Sequence, residues 1–286
     1  MAILGQHLLN GALIGCVYAL IAIGLTMIFG VMNIANFAHG EFYMLGGFLA
    51  FYLVSLLGFN YFLALPVAVA LVVALAVVLQ HALFRRLRDA PVMTTTVVTI
   101  GLSLLLEHVA LLFWGAQPQV VPTPFDTKPL SFFGIYTSPL YLFSMAVTAA
   151  LIVLGHLVIQ RSLMGKAMRA TFQNKEAAAL VGVRIDRIYT YAFTFGAGLA
   201  AAAGAVLGGF IPVEPSMGGV VTLKAFVVVI LGGMGSFIGA IVGGLLLGLA
   251  EALGAGYLST GWKDAIGFFA VILVLLFRPE GLFRRV

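Results

Sequence analysis

The chain has 286 residues, of which 9% are charged and 62% are hydrophobic, and its mean hydropathy is +1.14. Before Arg85 it contains no lysine and no arginine, and Glu41 is the one acid of that stretch. A soluble domain of this length needs a far more charged surface, so the composition excludes one. Apolar runs long enough to cross about 30 Å of hydrocarbon recur along the sequence. They predict an all-α, polytopic transmembrane bundle that occupies residues 1–286 as a single domain.

Cysteine usage and net charge exclude two further classes of protein. The single cysteine, Cys16, lies inside an apolar run, so a disulfide framework is excluded. The net charge of +5 comes from basic residues clustered in a few short connections. This clustering is typical of membrane orientation signals and does not indicate a nucleic-acid partner.

The apolar runs predict eight or nine membrane spans. The first run has no basic segment before it, so we interpret it as a retained span and not as a signal peptide. The tract 225–253 is interrupted at Gly232–Ser236, and splitting it there raises the count from eight to nine, with a short or tilted first piece. The predicted spans are 8–31, 37–57, 61–84, 94–114, 140–159, 188–211, 225–253 and 264–277.

The basic connections predict the orientation in the membrane, because loops rich in lysine and arginine stay in the cytoplasm. They place the N-terminus outside and the C-terminus in the cytoplasm, which requires an odd number of crossings. The basic connections are Arg85, Arg86 and Arg88 beside Asp89, the polar segment 160–187, and the C-terminal Arg278, Arg284 and Arg285.

The polar segment contains the strongest single pattern. Residues 175–180 are good helix formers, and Gly182 follows as a C-terminal cap. A short, glycine-ended helix on the cytoplasmic face can fit a cleft on a soluble partner and carry its motion into the bundle. An ordinary basic loop against anionic lipid explains the pattern equally well.

Polar residues also interrupt the chain between the first two spans, namely Asn33, Asn36, His39 and Glu41. Ionisable groups inside a membrane are costly and often functional, which favours a substrate path. Helix capping is the alternative, with Asn36 as the N-cap of the second span. In that case His39 and Glu41 lie near an interface. The two interpretations have equal weight.

Glycines recur at four-residue spacing in two spans, which places small residues on one helix face and permits close helix crossing. We predict packing rather than substrate contact for this face, which includes Gly204, Gly208, Gly239 and Gly243. The break in the glycine-rich tract differs, since an interrupted helix frees backbone groups that can face a pathway. The residues of that break are Gly232, Gly233, Gly235 and Ser236.

Other motifs are missing from the sequence. The five histidines show no metal-ligand spacing, and no G-x-x-x-x-G-K-[ST] phosphate loop occurs. Glu107, His108 and Glu251 are isolated in the sequence, so we interpret them as hydrogen-bonding groups inside the bundle and not as a proton relay.

Three segments together resemble the bacterial branched-chain amino acid ABC transporter permeases of the LivH type: residues 36–46, 168–182 and 232–251. The resemblance covers essentially the whole chain in order. It implies an inner-membrane subunit without enzymatic activity that works with a second related permease, two cytoplasmic ATPases that hold ATP and Mg²⁺, and a soluble extracytoplasmic binding protein. It implies no cofactor or metal on this chain.

The same resemblance assigns the segment 169–182 to coupling with one ATPase, with a glutamate–alanine–alanine core. Permeases for urea and short-chain amides share the architecture and remain an alternative. A stand-alone secondary transporter is less favoured, because it predicts internal repeats and more buried ionisable groups. The residues implied in coupling are Arg169, Asn174, Lys175, Glu176, Ala177, Ala178 and Gly182.

Overall fold

The computed structural model describes residues 2–88, 90–125, 129–132, 134–257, 259, 261, 263–278 and 281–283. The predicted connector residue Asp89 and the C-terminal Arg284 and Arg285 lie outside these residues. The described chain forms a helical bundle with one antiparallel hairpin, β1 Leu130–Phe132 and β2 Ile135–Thr137. Its helices are α1 Ala2–Met32, α2 His39–Ser55, α3 Tyr61–Leu79, α4 Val92–Trp114, α5 Pro139–Arg161, α6 Leu163–Gln173, α7 Lys175–Leu180, α8 Ile185–Leu207, α9 Met217–Gly232, α10 Phe237–Tyr257 and α11 Lys263–Phe277. A π-helical turn, Gln80–Phe84, extends α3.

Six of the described helices are long and apolar enough to cross a membrane by themselves: α1, α3 with its π-helical turn, α4, α5, α8 and α10. Helix length and composition therefore support six spans and not the predicted eight or nine. Helices α2, α9 and α11 have 17, 16 and 15 residues. At 1.5 Å per residue they rise roughly 23 to 26 Å, which is less than the thickness of the hydrocarbon core.

The boundaries of two predicted spans differ from the structure. Helix α9 begins at Met217, eight residues before the predicted tract, because Thr222 and Lys224 are accommodated inside the bundle rather than ending the helix. Helix α8 begins at Ile185 and ends at Leu207, which places its start within the segment predicted as a polar loop.

The central helices approach one another at glycines. Helix α1 crosses α10 where Gly248 lies against Gly15, and it crosses α8 where Gly24 lies against Gly196. Helix α2 crosses α8 where Gly204 faces the backbone carbonyl of Tyr43. A Cβ atom at any of these glycines would overlap the backbone of the neighbouring helix, so the small residues set the spacing of the core.

The two ends of the bundle differ. At one end Gly30 of α1 and Gly235, between α9 and α10, both lie against Phe172 of α6. At the other end Gly256 of α10 lies against His7 of α1. Gln6 of α1 also accepts a hydrogen bond from the backbone of β2 there. We call these the α6–α7 end and the hairpin end.

Candidate functional site

The first part of the candidate site is the helix pair α6–α7, whose ends are fixed by local hydrogen bonds. The side chain of Ser162 accepts a 2.9 Å hydrogen bond from the backbone N–H of Gly165 and caps α6. The side chain of Asn174 accepts one of the same length from Ala177 and caps α7. One asparagine thus ends α6 and starts α7, which produces a sharp corner.

Helix α7 ends at a glycine in the left-handed region. Gly182 has φ +89°, its N–H donates to the carbonyl of Ala179, and the N–H of Val183 donates to the carbonyl of Ala178. This pair of bonds is a Schellman motif, which a residue with a side chain would strain. The predicted helix 175–180 and its glycine cap agree with the structure.

The residues assigned to coupling fall into an inner and an outer set. Ala178 is buried, the guanidinium of Arg169 donates to the carbonyl of Ile159, and the ammonium of Lys175 lies 5.7 Å from the ring centre of Tyr189. The contact of Arg169 holds α6 against α5, and that of Lys175 holds α7 against α8. Glu176, Ala177 and Gly182 are exposed.

The tip of α7 is apolar. Leu180 and Val181 are 89% and 81% exposed and lie next to the glycine cap. A helix corner fixed by caps on both sides and ending in two exposed aliphatic side chains is suited to contact with another protein.

The second part is the start of α2, where Asn36, His39 and Glu41 are completely buried. Asn36 is not the N-cap: the helix begins at His39, Ala38 occupies the cap position, and no side chain caps it. The side-chain oxygen of Asn36 instead accepts a 3.1 Å bond from the N–H of Ala38.

His39 and Glu41 lie inside the bundle rather than near an interface. Nε2 of His39 is 3.1 Å from the carbonyl of Ile21, in the middle of α1. Asn33 follows α1 with φ +55°, and six residues later the side chain of His39 lies beside Ile21 and Gly24 of α1. Helix α2 therefore begins inside the bundle, beside the middle part of α1. The prediction of a short surface turn between the first two spans does not include this position.

Helices α4 and α9 complete this polar cluster. Oε1 of Glu41 accepts a 2.8 Å hydrogen bond from Ser103 of α4, whereas Oε2 has no partner among the described residues. The N–H of Gly40 donates to the hydroxyl of Thr222 in α9. A Cβ at Gly218 would overlap the carboxylate of Glu41, so glycine there makes room for the acid.

The third part is the break between α9 and α10. Gly233 and Gly235 have φ +102° and +89°, which permit the sharp turn. Ser236 then accepts a 3.0 Å hydrogen bond from the N–H of Gly239 and caps α10. The backbone of Gly232 lies against Gly239, which draws the two helices together after the break.

A cavity of about 200 Å³ joins this break to α6. Gly235, Ser236 and Phe172 line it, together with the buried Thr26 of α1. Neither His39 nor Glu41 lines this cavity. The structure therefore brings most of the predicted path residues together in two groups and does not join the groups into one site. Asn33 belongs to neither group, because it is exposed and lines a further cavity at the α6–α7 end.

The predicted packing glycines lie at helix crossings or against side chains. Gly243 faces the carbonyl of Val228 in α9. Gly208, just after α8, differs from the others, because it faces the side chains of Val121 and Val213 in two connecting segments.

The structure contains an ion pair inside the bundle that is not predicted from the sequence. Lys224 of α9 donates to Glu251 of α10, which also accepts a 2.9 Å hydrogen bond from the hydroxyl of Tyr18 in α1. Glu251 is completely buried and is not isolated. The sequence does contain a signal for this pair. Lys224 is the only basic residue between Arg187 and Lys263, and a cation inside a membrane bundle needs an acid nearby.

These features define a class: a multi-pass helical membrane protein with broken helices, buried polar groups and a capped helix pair at one end. A sequence model of the family "Branched-chain amino acid transport system / permease component" matches residues 7–276. The chain belongs to this family, which confirms the resemblance found in the sequence.

Two relatives are similar over nearly their whole length. BraD of Pseudomonas aeruginosa, a high-affinity branched-chain amino acid transport system permease protein, is 35% identical over 98% of this chain and 95% of its own. LivH of Escherichia coli, with the same description, has the same identity and coverage.

The fold is also similar to a solved structure, PsaBC from Streptococcus pneumoniae in complex with Fab. The TM-score is 0.51 at 13% identity, and the match covers 95% of this chain and 91% of that chain. At this identity the likeness concerns the fold alone.

Proposed function

We propose that this chain is the permease subunit of an ATP-driven importer that moves branched-chain amino acids across the bacterial inner membrane. The observation that carries the proposal is the 35% identity to BraD and LivH over 98% of the chain. The subunit does no chemistry on its substrate. Transport proceeds by alternating access, in which helices reorient around a central path.

The substrate path involves both groups of polar residues. An amino acid has a cationic and an anionic end, and each needs a polar partner away from water. Glu41, with one carboxylate oxygen lacking a partner among the described residues, suits the ammonium group. The break at Gly232, Gly233, Gly235 and Ser236 offers backbone groups for the other end at a different stage of transport.

The α6–α7 pair couples the bundle to an ATPase. The inner contacts of Arg169, Lys175 and Ala178 support this role, because they allow force on α7 to reach α5 and α8. The exposed Leu180 and Val181 supply an apolar contact for a cleft. The role of Asn174, Glu176, Ala177 and Gly182 is to maintain the shape of the α6–α7 pair.

The complete importer contains this chain, a second related permease, two cytoplasmic ATPases and an extracytoplasmic binding protein. ATP and Mg²⁺ bind to the ATPases, and this chain needs no cofactor. The bundle lies in the inner membrane in contact with lipid.

The chain crosses the membrane nine times when α2, α9 and α11 are added to the six long helices. The N-terminus is then outside and the C-terminus in the cytoplasm. The buried starts of α2 and α9 support this count, because irregular backbone inside a membrane is tolerated where protein covers it. In a variant without Cys16, a cysteine at Gln173 should resist an impermeant reagent added outside whole cells, and labelling from outside would contradict the orientation.

The test of function is uptake by the reconstituted importer in liposomes. We expect ATP-dependent accumulation of labelled leucine in the presence of the binding protein, and none with a non-hydrolysable ATP analogue. Labelled urea and acetamide serve as competing substrates. Uptake of urea or the amide but not leucine would reassign the permease, and ATP-independent uptake would indicate a secondary transporter.

A further inference from the structure

A second cavity, of about 220 Å³, lies at the α6–α7 end between the end of α3 and the start of α8. The π-helical turn and the residues after it contribute Gln80, His81, Arg85 and Arg88. Helix α8 contributes Arg187 and, on its first turn, an acid. The proposed function makes no use of this cavity.

The cavity has an excess of positive charge. Arg88 forms an ion pair with Asp186, and its guanidinium carbon lies 5.4 Å from the ring centre of Tyr189. No acid pairs with Arg85 or Arg187 in the part of the chain that the structure describes. Two guanidinium groups therefore remain to bind an anion, and guanidinium geometry matches phosphate oxygens.

Gln80 gives a second and independent indication of a ligand. It lines the cavity at 2% exposure, and its side-chain oxygen accepts no hydrogen bond among the described residues. A buried acceptor without a donor is unfavourable, which indicates that a partner is missing. A phosphodiester has no hydrogen to donate, whereas a hydroxyl group beside the phosphate does.

The surroundings indicate the source of that ligand. On the last turns of α3 before the cavity, Val77 and Val78 are exposed apolar side chains. They face outward on a helix that is only 22% buried in its most apolar stretch. A ligand with a charged head in the cavity and hydrocarbon tails along α3 satisfies both surfaces. Basic pockets at the cytoplasmic ends of membrane helices suit anionic lipids.

We propose that this cavity binds the headgroup of an anionic phospholipid that contains a glycerol hydroxyl, such as phosphatidylglycerol. Arg85 and Arg187 hold the phosphate, and the hydroxyl donates to Gln80. The bound lipid links α3 to α8, the helix that follows α7 in the chain.

The experiment measures lipid binding to the purified full-length chain in neutral detergent by native mass spectrometry. The lipids are phosphatidylglycerol, phosphatidylmethanol and phosphatidylcholine, and inorganic phosphate is the free-anion probe. The test variant is Arg85→Gln with Arg187→Gln. The control is Arg161→Gln with Lys166→Gln, which removes the same charge from exposed positions of α5 and α6 outside this cavity.

We expect the parent to bind phosphatidylglycerol more tightly than phosphatidylcholine. The test variant should bind it about 30-fold more weakly, since each basic group near a membrane surface contributes about 1 kcal/mol. The control should keep the parent's affinity. An equal loss in the control, or no loss in the test variant, would overturn the proposal.

Two further measurements test the role of Gln80 and distinguish a lipid phosphate from free phosphate. Gln80→Met should reduce the preference for phosphatidylglycerol over phosphatidylmethanol, an anionic phosphodiester without a hydroxyl, while binding of phosphatidylmethanol persists as a check of folding. Unchanged preference would overturn the role of the hydroxyl. Displacement of the lipid by millimolar inorganic phosphate would identify a site for free anions instead.

Discussion

Helices α1 and α8 bury most of their apolar residues inside the bundle, whereas α3 and α4 bury few of theirs. The most apolar stretches of α1 and α8 are 72% and 78% buried, whereas those of α3 and α4 are each 22% buried. Hydropathy does not follow burial, because the stretch in α3 has a mean hydropathy of 3.0 and that in α8 only 1.5. Helix α1 shows the opposite order, because its mean hydropathy of 2.4 exceeds the 2.0 of α4 although α1 is the more buried, so hydropathy alone does not identify the core helices.

The reason is that lipid tails are as apolar as leucine, so burying leucine between helices gains little. Core helices instead gain close packing through small residues. Ala200–Ala203 and Gly204 follow one another in α8, and all are buried. The core can also hold polar bonds, whereas an unpaired polar group facing lipid is costly.

The largest effect should come from breaking the ion pair of the core. Lys224→Met leaves the carboxylate of Glu251 buried without its cation, and breaking a buried pair costs about 3–5 kcal/mol. We expect a loss of that size in the free energy of unfolding, measured by titration with dodecyl sulfate in mixed micelles.

The matched control is the double variant Lys224→Met with Glu251→Leu, which removes both charges. It should recover most of the loss, since apolar replacement of a whole buried pair is often neutral. If the single variant is as stable as the parent, the pair does not hold α9 against α10.

A smaller effect should follow from shortening a core leucine. Leu20 of α1 is completely buried, and Leu20→Ala should cost about 2 kcal/mol because a cavity remains. Leu112 of α4 is 85% exposed, and Leu112→Ala should cost less than about 0.5 kcal/mol. The same micelle titration measures both, and equal costs would show that α4 is covered by protein.

The smallest change adds one methyl group at each of two glycines. Gly204→Ala places a carbon against the backbone of Tyr43, and overpacking costs about 1–3 kcal/mol. Gly101→Ala in α4 meets no atom within 4 Å and should stabilise the helix by up to about 1 kcal/mol. Melting temperatures in detergent should therefore move in opposite directions, and a common direction would contradict the contrast between the two regions.

Local features of this chain could be predicted from its sequence. The bounds of α7 and its glycine cap follow from residues within eight positions of one another. The start of α2 could not be predicted, because it depends on which part of α1 the chain after Asn33 packs against. The pair of Lys224 and Glu251 joins residues 27 positions apart, so only the tertiary structure brings them together.

The number of spans also depends on packing. The short α2, α9 and α11 are long enough to cross only if neighbouring helices cover their ends, and sequence hydropathy carries no information about such neighbours. For the same reason, the sequence favours neither helix capping nor a substrate path for the polar residues around Glu41.

The most direct test of coupling measures leucine uptake and ATP hydrolysis together in the reconstituted importer carrying Ala179→Pro. Ala179 is exposed and lies beyond the first turn of α7, where proline costs about 3 kcal/mol and breaks the helix outside the bundle, so the permease should still assemble. Ala179→Gln is the control, because it changes the same position and keeps the helix. We predict uptake near background and loss of ATPase stimulation by the loaded binding protein for the proline variant, with near-parent values for the glutamine variant. Uptake by the proline variant at the parent's rate would contradict a coupling role for α7.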